Sequence, residues 1–278
     1  ALAFQSAGWH VDIITRSDNE LSEYNYGSEW EACWEPLQAS TYSIKYRPVN
    51  RVGRIIDTLR CAIRTWYPMA GCRWAAHAVD LALKLHRTNH YNIIISRALP
   101  DAAHLSALLF KQLTGLSWIA NWNDPPLFLF PPEHNIKISK PAKCFNEILI
   151  RRIINNADSL TFPSDRLNRH FFEYYKHKHS EKSFVIPHTA LSANFHSHTR
   201  GNKFILCHAG NLYPARDPSL FFKGLWLFLK KHGDAPLSFI NIGLESAEIK
   251  KIINVYELSK FCVFLGKKSY MDTTEFLT

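Results

Sequence analysis

The residues whose types and spacing could do chemistry lie in Lys203–Pro218, KFILCHAGNLYPARDP, and are Gly210, Asn211 and Arg216. Phe204 to His208 is a short apolar run with β-branched and aromatic residues, which predicts a buried strand ended by Gly210. Asn211 to Ala215 make a tight loop containing Pro214, and Asp217 takes the N-cap position of a helix with Pro218 in its first turn. Leu220, Phe221, Leu225, Phe228 and Leu229 then recur at helical spacing. A strand, a glycine turn and a helix N-terminus bring backbone N–H groups and the positive end of a helix dipole to one point, and Arg216 adds a fixed charge beside it. The chemistry this allows is binding of a phosphate or diphosphate. A turn that binds nothing, with Arg216 as a surface charge, would have the same local pattern.

Four more residues stand where α/β sheets place ligands. Asp124 follows the apolar strand Ser117–Trp122 and can orient or polarise an acceptor hydroxyl; its alternative is to cap its own Asp-Pro turn. Arg97 follows the strand Asn92–Ser96, on the acceptor side, and can meet a phosphate of the acceptor or donor, or form an ion pair on the rim. Gly243 and Gly266 end strands and either let a nucleotide approach the backbone or serve as plain turn glycines. His104 and His188 read as structural. No HExxH motif and no CxxC pair occurs, and no metal is expected.

The elements that must position these residues alternate in type. Ala1–Ala7 reads as the tail of a helix stopped by Gly8, Trp9–Thr15 as a strand, Asp18–Gln38 as an acidic aromatic loop and Tyr42–Tyr46 as a short strand. Arg51–Tyr67 is an amphipathic helix with Val52, Ile55, Ile56, Leu59 and Ile63 on one face and Arg51, Arg54 and Arg64 off it. That face either packs on the sheet or makes peripheral contact with a membrane. Trp74–His86 is a further helix. Asn92–Ser96, the helix Ala102–Thr114 and Ser117–Trp122 make a βαβ unit, as parallel sheets require. A basic helix Pro141–Asn156, a strand Ser159–Phe162, a helix Ser164–Tyr175 and a strand Phe184–Pro187 follow, and residues 189–202 read as a linker. Beyond the opening stretch come a strand Leu237–Gly243, a helix Glu245–Tyr256, a strand Phe261–Leu265 and a helix Tyr270–Thr278.

With 278 residues and 46% hydrophobic content the chain can build two modest domains with cores. No apolar run approaches the roughly 20 residues that span a bilayer. Cys33, Cys61, Cys72, Cys144, Cys207 and Cys262 are scattered, which fits buried free thiols in a reducing compartment. The net charge of +9 favours an anionic partner: a nucleotide, a phospholipid surface or a nucleic acid. No nucleic-acid-binding module is present, so nucleic acid is not the expected partner.

HAGNLYPARDP resembles the opening of the second domain of GT-B glycosyltransferases, in particular the retaining group called family GT4, with Gly210, Asn211 and Arg216 on the family's positions. That family commonly has Arg where this chain has Asn211. SRALPDAAH and GLSWIANWNDP resemble the middle of the GT4 first domain, and WHVDIIT its second strand. The resemblance implies an α/β fold of GT-B architecture: two Rossmann-like domains with parallel sheets facing a cleft. These are an acceptor-side domain over 1–188 and a nucleotide-sugar-binding domain over 189–278, both incomplete. It implies transfer of a sugar from a nucleotide-diphosphate sugar to a glycan or lipid-linked acceptor hydroxyl, with retention and without metal or other cofactor. The location it implies is cytoplasmic, at most peripheral on the inner face of the membrane. The chain reads as a piece cut at both ends and is expected to be inactive by itself. Strands Trp9–Thr15 and Asn92–Ser96 are expected to lack direct hydrogen bonds to each other, and the last three strands to lie in the order 3-2-1. A non-catalytic nucleotide-sugar-binding subunit is the alternative. A dinucleotide-dependent oxidoreductase is disfavoured because neither strand-to-loop junction carries GxGxxG.

Overall fold

The computed structural model describes residues 1–16, 40–44, 50–130, 132, 136–188, 203–212, 217–233 and 235–277. The chain divides into two compact units; the described residues of the first end at His188 and those of the second begin at Lys203.

The first unit contains strands β1 (Ile13–Arg16) and β2 (Thr41–Ile44), paired in parallel with Ile13 opposite Thr41. A separate parallel sheet runs β3 (Ile93–Ala98), β4 (Ser117–Trp122), β5 (Ser159–Phe162) and β6 (Ser183–Val185), in that order. As expected, the strand after Gly8 and the strand at Ile93 share no ladder: they belong to different sheets. The helices are α1 (Leu2–Ser6), α2 (Arg51–Thr65), α3 (Cys72–Asn89), α4 (Ala102–Thr114), α5 (Lys140–Asn156) and α6 (Asp165–Tyr174). Three of them start with a side-chain cap. The Asn50 side chain accepts from Gly53 N at 2.6 Å, Ser139 from Ala142 N at 3.4 Å and Ser164 from Leu167 N at 3.3 Å. Gly115, at φ 73°, ends α4 in a conformation that favours glycine.

The core of this unit is aromatic. Trp122 lies 5.8 Å from Phe162 and 4.9 Å from Phe171 between ring centroids, with Leu105, Leu108, Leu149, Ile150 and Ile153 buried around them. One polar chain threads it. Trp118 Nε1 donates to Ser96 Oγ at 2.7 Å, and Ser96 Oγ shares a second hydrogen bond of 2.7 Å with His104 Nδ1. The other ring nitrogen, His104 Nε2, is buried without a hydrogen-bond partner among the described residues. Burial pulls the imidazole down to a pKa of about 3, so the ring is neutral.

The second unit has strands β7 (Phe204–Ala209), β8 (Leu237–Ile242) and β9 (Cys262–Phe264), all parallel in the order β7-β8-β9. Helices α7 (Ser219–His232), α8 (Ala247–Val255) and α9 (Tyr270–Leu277) accompany them. Phe222, Leu225 and Leu229 of α7 pack with Leu237, Phe239, Ile249, Ile253 and Leu258.

Four expectations are corrected. β7 is not a buried strand: it is an edge strand, and Phe204, Ile205, Cys207 and Ala209 are exposed, whereas central β8 is buried along almost its whole length. Cys207 and Cys144 are exposed thiols, although Cys61 and Cys72 are buried as expected; Cys33 lies outside the described residues. α7 starts one residue late, with Pro218 at the cap position. Asp217 still serves it, because its Oδ1 accepts from Ser219 N at 2.9 Å. Finally, the apolar face of α2 does not pack on the sheet. Val52, Ile55, Ile56, Leu59 and Ile63 all face outward.

Candidate functional site

In the second unit the parallel register brings the C-terminal ends of β7 and β8 together. Ala209 stands opposite Ile242, and Gly210 N donates to the Ile242 carbonyl at 2.8 Å. Gly210 has φ 136°, a conformation closed to most L residues. Gly243 lies against it so closely that a Cβ there would stand 2.0 Å from the Gly210 carbonyl oxygen and 3.1 Å from Asn211 N. Asn211 Oδ1 accepts from Leu244 N at 2.8 Å, which ties the two loops; its Nδ2 makes no hydrogen bond among the described residues. Gly210, Asn211 and Gly243 thus form one junction. Gly266, at φ 72° beyond the end of β9, has open space where its Cβ would be, so its backbone conformation and not a close approach calls for glycine. Arg216 lies outside the described residues.

Sequence reasoning missed His208. Its Nδ1 is 2.8 Å from Oδ1 of fully buried Asn241, so Nδ1 carries the proton and donates, and the Nε2 lone pair is left over. That outer ring edge lies beside Gly210: a Cβ on Gly210 would be 3.5 Å from His208 Cε1 and 3.9 Å from Nε2. The signal was available in the alternation of the strand, since His208 is two residues before the glycine and shares its face.

In the first unit a polar ladder crosses the C-terminal ends of β3, β4 and β5. Arg97 stands opposite Asn121 in the register. With the Asn123 amide oxygen facing Arg97, it accepts from Arg97 Nε and from Nη2 at 2.6 Å, and the Asn123 amide donates to Asn121 Oδ1 at 3.2 Å. Asn121 Nδ2 in turn donates to Thr161 Oγ1 at 2.9 Å. Arg97 is therefore held by a neutral amide and not by a rim carboxylate, and its positive charge is uncompensated by that contact. Asp124, the next residue, is exposed and makes neither a hydrogen bond nor an ion pair among the described residues, so its carboxylate does not cap its own turn. Arg97 and Asp124 are brought to neighbouring strand ends; Asn123, which the sequence reading passed over, links them.

Among the described residues, one group of side chains has metal-ligand chemistry. Asp57, Cys61 and His77, on α2 and α3, have ligand atoms within 4.8 Å of one another. Arg73 Nε donates to Asp57 Oδ2 at 2.6 Å. Burial works against the Asp57 charge, yet hydrogen bonds from Arg73 and His77 outweigh it and hold the carboxyl below its usual range. Burial pushes the Cys61 thiol up to about 11, so it stays protonated. The cluster reads as an ion pair that fastens α2 to α3.

No family model matches the chain, and no curated protein does. Solved structures do. The Anabaena protein Alr3699/HepE, determined in complex with UDP, is matched over 93% of this chain and 70% of that one, with a TM-score of 0.57 at 13% identity. TarM is matched over 71% of this chain and 38% of its own length, with a TM-score of 0.50 at 14% identity. A UDP-N-acetylglucosamine 2-epimerase is matched over 98% of this chain and 65% of that one, with a TM-score of 0.50 at 8% identity. The fold is of GT-B type. These likenesses carry the α/β architecture with parallel sheets. The chain spans 38% of the length of TarM. Among the described residues, no helix is long and apolar enough to cross a membrane.

Proposed function

We propose that this protein is a glycosyltransferase that moves a sugar from a nucleotide-diphosphate donor to an acceptor hydroxyl on a glycan or a lipid-linked glycan. The observation that carries the reading is the junction of Gly210, Asn211 and Gly243, where two parallel strands end against each other and only glycine fits at 243. Crevices outside the carboxyl ends of parallel strands are where α/β folds bind nucleotides. The UDP seen with HepE supports a nucleotide here.

On this reading residues 189–278 bind the donor and residues 1–188 the acceptor. The leaving diphosphate gains negative charge as the sugar departs, and Arg216, the loop N–H groups and the start of α7 oppose that charge, in place of a metal. His208 is placed beside the same glycine. Asp124 orients the acceptor hydroxyl, and Arg97 draws an anionic group of the acceptor. Retention belongs to the resemblance to family GT4, and the cytoplasm supplies the donor.

A second reading is favoured by the match of 98% of the chain to a 2-epimerase. The two separate in one experiment. UDP-, GDP- and ADP-sugars are incubated with and without candidate acceptors, and free nucleotide and sugar epimers are measured. A transferase releases nucleoside diphosphate in proportion to acceptor. An epimerase changes the donor sugar without one. Binding without either outcome identifies a non-catalytic subunit.

A further inference from the structure

One buried polar side chain of the second unit works against the stability of its own core. Asn241 lies in the middle strand of its sheet and is fully buried. Its partners in the register are His208 on β7 and Phe264 on β9, and Phe239 precedes it by two residues on the same face. Asn241 Oδ1 accepts from His208 Nδ1 at 2.8 Å, whereas Asn241 Nδ2 is buried without a hydrogen-bond partner among the described residues. A buried amide with half of its capacity unmet is a poorer core residue than leucine, because the orphaned donor has lost its hydration and received nothing in return.

What Asn241 supplies is control of His208. With Nδ1–H committed to Asn241 Oδ1, the imidazole is held in one tautomer and one orientation. Its Nε2 then carries a lone pair, makes no hydrogen bond among the described residues, and lies on the ring edge beside Gly210. That lone pair selects its ligand. A neutral imidazole with a bare Nε2 is an acceptor. The oxygens of an ionised diphosphate are acceptors as well, so the two repel. A hydroxyl is a donor and fits. The partner that orients the ring is a neutral amide; a carboxylate in its place would favour the doubly protonated ring that a phosphate requires.

We infer that His208 is a hydroxyl receptor at this junction: Nε2 accepts a hydrogen bond from a hydroxyl of a bound nucleotide sugar, on its ribose or on its donor sugar. Asn241 is the positioning residue that keeps this acceptor bare. The inference rests on the reading of the junction as a nucleotide site. It gives that site a means of selection, since a group placed to hydrogen-bond a hydroxyl rejects the analogue that lacks it.

The test is titration calorimetry of the protein with UDP, GDP and ADP, with their analogues lacking one ribose hydroxyl, and with their glucose conjugates. Wild type is compared with His208→Phe, which keeps a ring and removes the acceptor. A ribose contact lowers the affinity for the nucleoside diphosphate about tenfold in the variant and leaves one deoxy analogue bound equally by both proteins. A donor-sugar contact leaves the nucleoside diphosphate unchanged and lowers the glucose conjugate about tenfold. Nitrogen NMR of the wild type gives a readout that does not depend on how the variant folds. His208 Nδ1 should show the shift of a protonated ring nitrogen and Nε2 that of a bare one, and ligand binding should move Nε2 without protonating it. Asn241→Leu should average the two shifts by releasing the tautomer, and should weaken the same ligands as His208→Phe. An equal loss for every compound in His208→Phe, or a protonated Nε2 in the complex, would make His208 a phosphate contact and overturn the inference. So would unchanged affinity for every compound. In those cases the nucleotide reading survives, whereas failure of the wild type to bind any of the compounds ends both.

Discussion

At the scale of single residues, Gly243 is the most constrained position of the candidate site. Its hydrogen stands where a methyl group would meet the Gly210 carbonyl oxygen at 2.0 Å, and that atom is backbone, which cannot swing aside. Gly243→Ala should therefore destabilise the second unit by about 1–3 kcal/mol, the usual cost of overpacking, and should move the amide resonances of Gly210 and Asn211. Chemical denaturation with nuclear magnetic resonance would check both; an unchanged midpoint would mean that the two loops can separate freely. His104 gives a pH prediction. Its pKa is about 3 in the folded chain and near 6.5 in a model peptide. Between these values the unfolded chain binds a proton that the folded chain refuses, so stability is intact above pH 6.5 and is lost as pH falls toward 3. His104→Gln, which can still hydrogen-bond with Ser96, should flatten the fall in melting temperature between pH 6.5 and 4. A wild-type slope in that variant would assign the acid sensitivity to other groups.

At the scale of elements, the Asp57–Arg73 pair fastens α2 to α3 beside the buried Cys61 and Cys72, while the aliphatic side of α2 stays outward. Asp57→Asn keeps the shape and removes the charge. It should cost the first unit about 1–2 kcal/mol, read by denaturation, with the loss shrinking as pH approaches the carboxylate range, because the wild-type pair is itself lost there. Most element positions were legible in the sequence. Ala102–Thr114, Ser117–Trp122 and Ser159–Phe162 coincide with their expected bounds, because glycine stops, a proline turn and β-branched runs act locally. The direction in which an element faces was not legible. Five aliphatic residues on one side of α2 predict a buried side only if the neighbouring helix offers an apolar surface, and α3 offers Arg73 and His77 there. Phe204–Cys207 reads as buried by composition, but burial of a strand depends on its place in the sheet order, and β7 is at an edge. In the candidate site, Gly210 and Gly243 were legible as strand-end glycines. Their mutual contact was not, being set by the register of strands some thirty residues apart, and neither was the ladder from Arg97 through Asn123 to Thr161, which spans three strands.

At the scale of the molecule, the two units repeat one physical scheme: a parallel sheet whose strands end at a polar margin. The first unit gathers Arg97, Asn123 and Asp124 at that margin, and the second gathers His208, Gly210, Asn211 and Gly243. The GT-B-type fold accounts for this scheme without specifying a reaction. The reaction rests on the second margin holding a nucleoside diphosphate. Titration calorimetry of the protein with UDP, GDP and ADP, repeated on Arg216→Ala, tests that most directly. The account predicts that one of the three binds and that Arg216→Ala weakens it more than about 10-fold, the loss of a charge-assisted phosphate contact, while the melting temperature of the free protein is unchanged. Failure of all three to bind, or equal affinity in the variant, would contradict it.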